Sequence, residues 1–349
     1  MSAGVVIRRE GAAGCLSLAR PDALNALTLP MCTAMNAALA GWRDDPDIAA
    51  VLIDHAGGRG FCAGGDIAQL RRSALTDGGA AGRRFFFEEY RLNHQLFTYP
   101  KPVVAFMDGI TFGGGVGLSL PARLRVATEN TRLAMPESGI GLFPDVGGGW
   151  YLSRLPHRIG QYLALTGARI DGADCLWAGL ATHYLPADRL MAAKRRIAHH
   201  PDKLDEILSG FGAHPVPPSR LADDSGLIAR HFASDRLEDI LASLAADHGT
   251  WAQGVLATLR TKSPQACKVA LRQLALGSRL AGFAAEMAME YRIASRVLML
   301  PDFAEGVRAV IVDKDQAPQW NPARPEAVSE EQLDAIFAAL PPAEEWTPL

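Results

Sequence analysis

Apolar positions fall in short blocks that change period along the chain. Residues 4–9 (GVVIRR) and 14–19 (GCLSLA) predict two short strands around a glycine turn, a hairpin. Residues 29–43 place Met31, Met35, Ala38, Leu39 and Trp42 at helical spacing and predict a helix. Residues 49–54 (AAVLID) form a continuous apolar run, the pattern of a strand buried on both faces. The pattern returns at 102–107, at 123–128 and in the short LAM of 133–135, and glycine-rich sequence follows the runs at 49–54, 102–107 and 133–135. Strand, glycine loop and helix in alternation predict an α/β architecture, with no repeat of fixed period.

Beyond residue 200 the texture changes. GFGAHPVPPSR (210–220) is rich in proline and glycine and reads as a linker, and from about 224 the pattern is mainly amphipathic helix. Ser263-Pro264 predicts a helix start. Ser329-Glu330-Glu331-Gln332 fits a capping box ahead of Leu333, Ile336, Phe337 and Leu340. The expected division is a core over residues 1–205 and a helical C-terminal region over 206–349.

Composition narrows the function classes. The 349 residues are 48% hydrophobic and 21% charged, enough for a sizeable core. Thirty-five Lys and Arg against 38 Asp and Glu leave a net charge of −3, so no basic excess is available for nucleic-acid phosphates. Five cysteines, no two closer than 17 positions, argue against a disulfide framework or zinc knuckle. The N-terminal segment carries charges where a signal peptide needs an apolar core, and no apolar window has membrane-spanning length. The expectation is a soluble, cytoplasmic protein.

G-x-G-x-x-G after a strand, G-x-x-x-x-G-K-[ST], G-x-S-x-G and H-E-x-x-H are all missing from the chain. What remains are three glycine loops. FCAGGDI (61–67) and FGGGVGL (112–118) each follow an apolar strand and precede helical sequence. Two such loops can aim two backbone N–H donors at one oxygen, an oxyanion hole. On glycine content alone, tight turns and close helix–strand packing explain them equally well. Cys62 is a candidate nucleophile, or a small thiol filling a tight loop. The third loop, MPESGIGLFPDVGGGW (135–150), sets Glu137 and Asp145 among apolar residues, where a carboxylate pKa rises. The alternative is a helix-capping Glu and a turn Asp.

Together with RPDALNAL (20–27), these loops resemble the crotonase (enoyl-CoA hydratase/isomerase) superfamily. Within it the chain resembles the branch of 3-hydroxyisobutyryl-CoA hydrolases. The branch resemblance is carried by FFFEEYRLNH (85–94), GITFGGGVGLS (109–119), LALTGARIDGADCLWAGLATHYL (163–185), SPQACKVALRQL (263–274), MEYRIASR (289–296) and DFAEGVRAVIVDKDQAPQWNP (302–322). The likeness covers nearly the whole chain and is weakest at about 70–82 and 200–250.

The resemblance implies a spiral core of ββα units with C-terminal helices. It implies an oxyanion pair from the N–H groups of Gly65 and Gly114. Ala63, Gly64, Gly65 and Asp66 lie where the family holds the CoA adenine through main-chain atoms. Glu137 matches the catalytic glutamate, Asp145 the acid that marks the hydrolase branch, and Glu89 a substrate-contacting glutamate. Hydratases carry a second catalytic glutamate where this chain has Gly117. The implied reaction is hydrolysis of a short 3-hydroxyacyl-CoA thioester, with Glu137 either activating water or attacking directly. Neither metal nor redox cofactor is implied, CoA being part of the substrate, and a homo-oligomer is compatible. The alternatives are a hydratase or isomerase using Asp145 as its second acid, and a non-catalytic acyl-CoA- or protein-binding member of the fold.

Overall fold

The computed structural model describes residues 4–213 and 215–349; His214, within the predicted linker, and the first three residues of the N-terminal segment lie outside them. The hairpin is β1 (Val5–Glu10) and β2 (Ala13–Leu18), followed by the predicted helix α1 (Leu29–Arg43). The first long apolar run is β3 (Ala50–His55), and a short strand, β4 (Gly60–Cys62), follows it. Helices α2 (Ile67–Thr76) and α3 (Ala80–Phe97) complete the unit.

The second run repeats this plan as β5 (Val103–Met107), β6 (Ile110–Phe112) and α4 (Gly114–Ser119). The third gives β7 (Leu124–Ala127) and β8 (Arg132–Ala134), then a single 3-10 turn over Glu137–Ile140 inside the third glycine loop. The chain continues through α5 (Gly148–Leu152), α6 (Ile159–Thr166), β9 (Ile170–Asp171), α7 (Gly172–Trp177) and β10 (His183–Tyr184).

The strands sort into two sheets. The long ones form a six-stranded sheet in the order β1-β2-β3-β5-β7-β10, parallel apart from the β1–β2 hairpin. The short ones form a second sheet, β4-β6-β8-β9, in which β4, β6 and β8 run parallel. Of the second sheet the sequence pattern showed only β8, as the LAM of 133–135; β4 and β6 fall inside sequence read as glycine loop, because strands of three residues show no period. This is the ββα plan that the resemblance implied.

Period-two alternation on the long strands sends side chains to both faces. Leu52, Val104, Phe106 and Val126 pack under α8 (Leu190–His199) and α9 (Leu204–Phe211). Val51, Ile53, Val103 and Ala105 join the larger cluster on the other face.

The remaining helices are α10 (Arg220–His231), α11 (Leu237–Ala246), α12 (Thr250–Leu259), α13 (Pro264–Gly277), α14 (Phe283–Val297), α15 (Pro301–Val307) and α16 (Glu330–Phe337). Two starts are as predicted. The Ser263 hydroxyl accepts from the Ala266 N–H with Pro264 in the first turn, and Ser329 with Gln332 closes a capping box. Leu271, Leu274, Met287 and Phe303 from these helices belong to the larger core cluster. Among the described residues no helix is long and apolar enough to cross a membrane.

Candidate active site

Because β4, β6 and β8 are parallel neighbours, their C-terminal ends lie side by side. They deliver residues 63–66, 113–114 and 136–137 to one place, the usual position of a ligand outside the carboxyl ends of parallel strands. The loops touch: a Cβ built on Gly114 would lie 3.3 Å from the Gly64 carbonyl carbon. They enclose a cavity of about 60 Å³ lined by Ala63, Gly64, Gly65, Gly114, Glu137 and Asp145, with Glu89 entering from α3. Apolar walls come from Leu70, Phe85, Phe86 and Leu142.

Among the described residues, the amides of Gly65 and Gly114 are without protein acceptors. Around Gly65 the chain pairs with Leu27: the Leu27 N–H donates to Gly64 O at 2.8 Å and the Asp66 N–H to Leu27 O at 2.9 Å. The intervening Gly65 N–H faces the other way and, among the described residues, meets no protein acceptor. Gly114 is the first residue of α4, where an N–H has no intrahelical partner, and it too meets no acceptor among them. Both line the cavity. Gly113 turns the chain into α4 at φ +46°, and a Cβ there would lie 2.8 Å from Glu137 Oε1. A Cβ at Gly114 would lie 2.6 Å from Glu89 Oε1. Only glycine lets this backbone pass between two carboxyl groups.

Three acids share the cavity. Glu137 opens the 3-10 turn after β8, buried, with Oε2 unpartnered among the described residues. Burial raises its pKa well above the carboxylate range, and Asp145 adds to the rise. Glu89 is buried with Oε1 unpartnered, and burial, then Asp145 and Glu137, push it upward too. Burial pushes Asp145 up to about 7, against the pull of the Tyr90 hydroxyl, which donates to Oδ2 at 2.9 Å. No cation offsets the burial of any of the three. Carboxyl groups whose pKa is raised in an apolar site suit proton transfer.

The Gly117 position has a steric explanation. A Cβ there would lie 2.5 Å from Val146 Cβ and 2.9 Å from Asn93 Nδ2. Asn93 Nδ2 also donates to Gly117 O at 2.9 Å, closing that side of α4. The space of a second acid is filled.

The other candidates sort as follows. Asp66 does not line the cavity; its carboxylate caps α2 and pairs with Arg20 at 3.3 Å. Cys62 is buried and its thiol is pushed up to about 12, so it stays a protonated filler of the loop. Tyr90 was quoted within FFFEEYRLNH without a role, since the sequence does not show which face of α3 meets the aspartate. Arg169 and Lys262 were also missed. They border a wider opening of about 390 Å³ that shares Ala63, Ile67, Phe112, Pro136 and Ile140 with the cavity.

With this geometry in hand, comparison with known proteins is informative. A family model described as enoyl-CoA hydratase/isomerase matches residues 13–337. The chain is 42% identical over 347 residues to a mitochondrial 3-hydroxyisobutyryl-CoA hydrolase of Xenopus tropicalis, covering 96% of this chain and 89% of that protein. Among solved structures it resembles a carnitinyl-CoA dehydratase of Mycobacterium thermoresistibile, with a TM-score of 0.93, 41% identity, and coverage of 99% of this chain and 98% of that one. It also resembles an enoyl-CoA hydratase of Rhodobacter sphaeroides, with a TM-score of 0.88, 40% identity and 99% coverage of both chains.

Proposed function

The chain belongs to the enoyl-CoA hydratase/isomerase family, and within it we propose that it hydrolyses the thioester of a short 3-hydroxyacyl-CoA, 3-hydroxyisobutyryl-CoA foremost. The relatives carry names for two reactions, thioester hydrolysis and water addition or removal at a C=C bond. The observation that decides for hydrolysis is the packing at Gly117. With Val146 in the space of the second glutamate, one loop carries both remaining catalytic acids, Glu137 and Asp145, beside two free amides.

In this reading the thioester oxygen sits between the N–H groups of Gly65 and Gly114, which stabilise the charge that develops there. Glu137 drives the carbonyl addition, through an activated water or by direct attack followed by hydrolysis of the anhydride. The C–S bond breaks and the thiol, with a reference pKa of about 8.5, leaves as thiolate. Asp145 and Glu89 accept from the 3-hydroxyl, the one polar group a short acyl chain offers. Arg169 and Lys262, neither facing a carboxylate across the wider opening, suit the phosphates of CoA, and main-chain atoms of 63–66 suit its adenine. We keep the cytoplasm as the site of action, on the five free buried cysteines, whereas the curated relatives are named mitochondrial; cell fractionation decides this point.

Free-thiol release over a small acyl-CoA panel tests the reaction. A site built to bind a hydroxyl discriminates against the deoxy analogue by as much as ~10⁴, whereas one C2 methyl changes only an apolar contact worth about 1–3 kcal/mol. The expected result is hydrolysis of 3-hydroxyisobutyryl-CoA and 3-hydroxypropionyl-CoA, with isobutyryl-CoA far slower. A kcat/KM ratio for 3-hydroxyisobutyryl-CoA over isobutyryl-CoA below about ten, the scale of one weak apolar contact, would mean a general short-chain thioesterase. Water addition to crotonyl-CoA without thiol release would overturn the hydrolase.

A further inference from the structure

SPQACKVALRQL and MEYRIASR have no part in the site described so far, yet each carries a fully buried polar side chain aimed at the loop of Asp145. Gln273 lies on α13, and Glu290 on α14. Glu290 Oε2 accepts from the Gly147 N–H at 2.8 Å, and Oε1 accepts from the Gly149 N–H at 3.2 Å. The Gln273 amide donates to Glu290 Oε1 at 2.9 Å and to Pro144 O at 2.8 Å. These four bonds straddle Asp145 and Val146. Between them Val146 takes φ +55°, a strained left-handed conformation for a β-branched residue, and Gly147 takes φ +90°. Backbone held in such a state needs its surroundings to impose it.

One turn earlier on α14, Glu286 packs its carboxyl against the backbone of residue 149, where a Cβ would lie 2.0 Å from Oε1. Two adjacent buried carboxyls do not both ionise. Burial pushes Glu286 up to about 7 and raises Glu290 well above the carboxylate range, with Glu286 adding to the rise and the Gly147 and Gly149 N–H groups opposing it. A buried carboxyl group is costly to keep unless its oxygens are hydrogen-bonded. The three N–H donors of Glu290, two of them from the catalytic loop, show what it holds.

We propose that Glu290, oriented by Gln273, is the positioning residue for Asp145, a clamp by which the C-terminal helices set the backbone on either side of that acid. The proposal rests on the reading of Asp145 as a member of the reacting set. It concerns the backbone only: neither Glu290 nor Gln273 lines the cavity.

The test compares Glu290→Gln, Glu290→Asp, Gln273→Leu and Asp145→Asn by thiol release from 3-hydroxyisobutyryl-CoA, each checked by thermal melting. Glutamine at 290 keeps the shape but turns an NH2 toward one loop amide. A misplaced group of this kind costs up to about 100-fold in rate, so folded Glu290→Gln is expected to lose about 10- to 100-fold in kcat with KM within about threefold. Glu290→Asp, which keeps two acceptor oxygens, is expected to recover part of that loss. Wild-type kcat in folded Glu290→Gln, alongside an impaired Asp145→Asn, overturns the clamp. A loss spread equally over kcat and KM, without recovery in Glu290→Asp, also overturns it, as a general disturbance of the core. Should Glu290→Gln fail to fold, Gln273→Leu, which removes the Pro144 anchor, decides by the same kcat–KM split. Full activity in Asp145→Asn would instead overturn the reading of Asp145 itself.

Discussion

Residues 113–117 (GGGVG) and 146–149 (VGGG) are glycine runs of one texture with opposite uses. Each includes a left-handed glycine, Gly113 at φ +46° and Gly147 at φ +90°, and each opens a short helix. In the first run the Gly114 N–H has no acceptor among the described residues and lines the cavity between Glu89 and Glu137. In the second, the N–H groups of Gly147 and Gly149 are both taken by Glu290. Free amides make a binding site; amides closed by a buried carboxylate make a joint. The difference lies in what faces the loop, and in neither case in the glycines.

The runs can be separated experimentally, and the largest effect is expected at the acid beside the open one. Glu137→Gln is expected to lower kcat by roughly 10²–10⁴, the span of general acid–base contributions, with the fold and CoA binding retained. Thiol-release kinetics with circular dichroism checks this, and near-wild-type turnover would remove Glu137 from the mechanism.

Next comes the contrast between the runs themselves. Gly114→Pro deletes one of the proposed oxyanion donors and is expected to lower kcat by at least ~10²–10³ in a protein that still folds. Gly149→Ala deletes no donor. Its Cβ meets Glu286 Oε1 at 2.0 Å and Gln273 at 2.9 Å, so it should act on stability, at about 1–3 kcal/mol or more for an overpacked site. Melting temperature and kcat measured on both variants should separate them: Gly114→Pro loses kcat with little loss of stability, whereas Gly149→Ala loses stability, and loses kcat only in so far as the clamp on Asp145 is displaced. Equal loss of activity without loss of stability would erase the distinction.

Asp145 connects the runs, and its protonation leaves a mark on stability. Its folded pKa of about 7 stands above the ordinary 3.8. The neutral acid therefore contributes stability that is complete below pH 3.8 and lost as pH rises to about 7. Asp145→Asn, which never ionises, should gain on the wild type across that window by at most about 1.4 kcal/mol per pH unit, then hold level. Denaturant unfolding at several pH values measures this; a gap that does not change with pH would contradict the burial of the charge.

The smallest effect is expected at Tyr90. Its hydroxyl holds the Asp145 pKa down through the 2.9 Å hydrogen bond. Tyr90→Phe removes that restraint, so the acid limb of the kcat profile should move to higher pH, with activity at pH 9 changed less than at pH 6. An unmoved limb would mean that ionised Asp145 does not set it.

Several of these features are local and could be read from the chain. The apolar runs of β3, β5 and β7, the spacing of α1, and the caps at Ser263 and Ser329 depend on residues within a few positions of each other. The motif loops with Glu137 and Asp145 were visible for the same reason, whereas Glu89 was marked only by the family resemblance. The tertiary structure alone decided the rest. The second sheet consists of strands too short to show a period, yet its parallel pairing brings residues 63–66, 113–114 and 137 to one cavity. Val146 fills the space beside Gly117, and Glu290 reaches an amide 143 positions away. A glycine run carries its conformational freedom in its own sequence. Whether its N–H groups stay open or are closed depends on side chains that only folding brings opposite them, which no local pattern encodes.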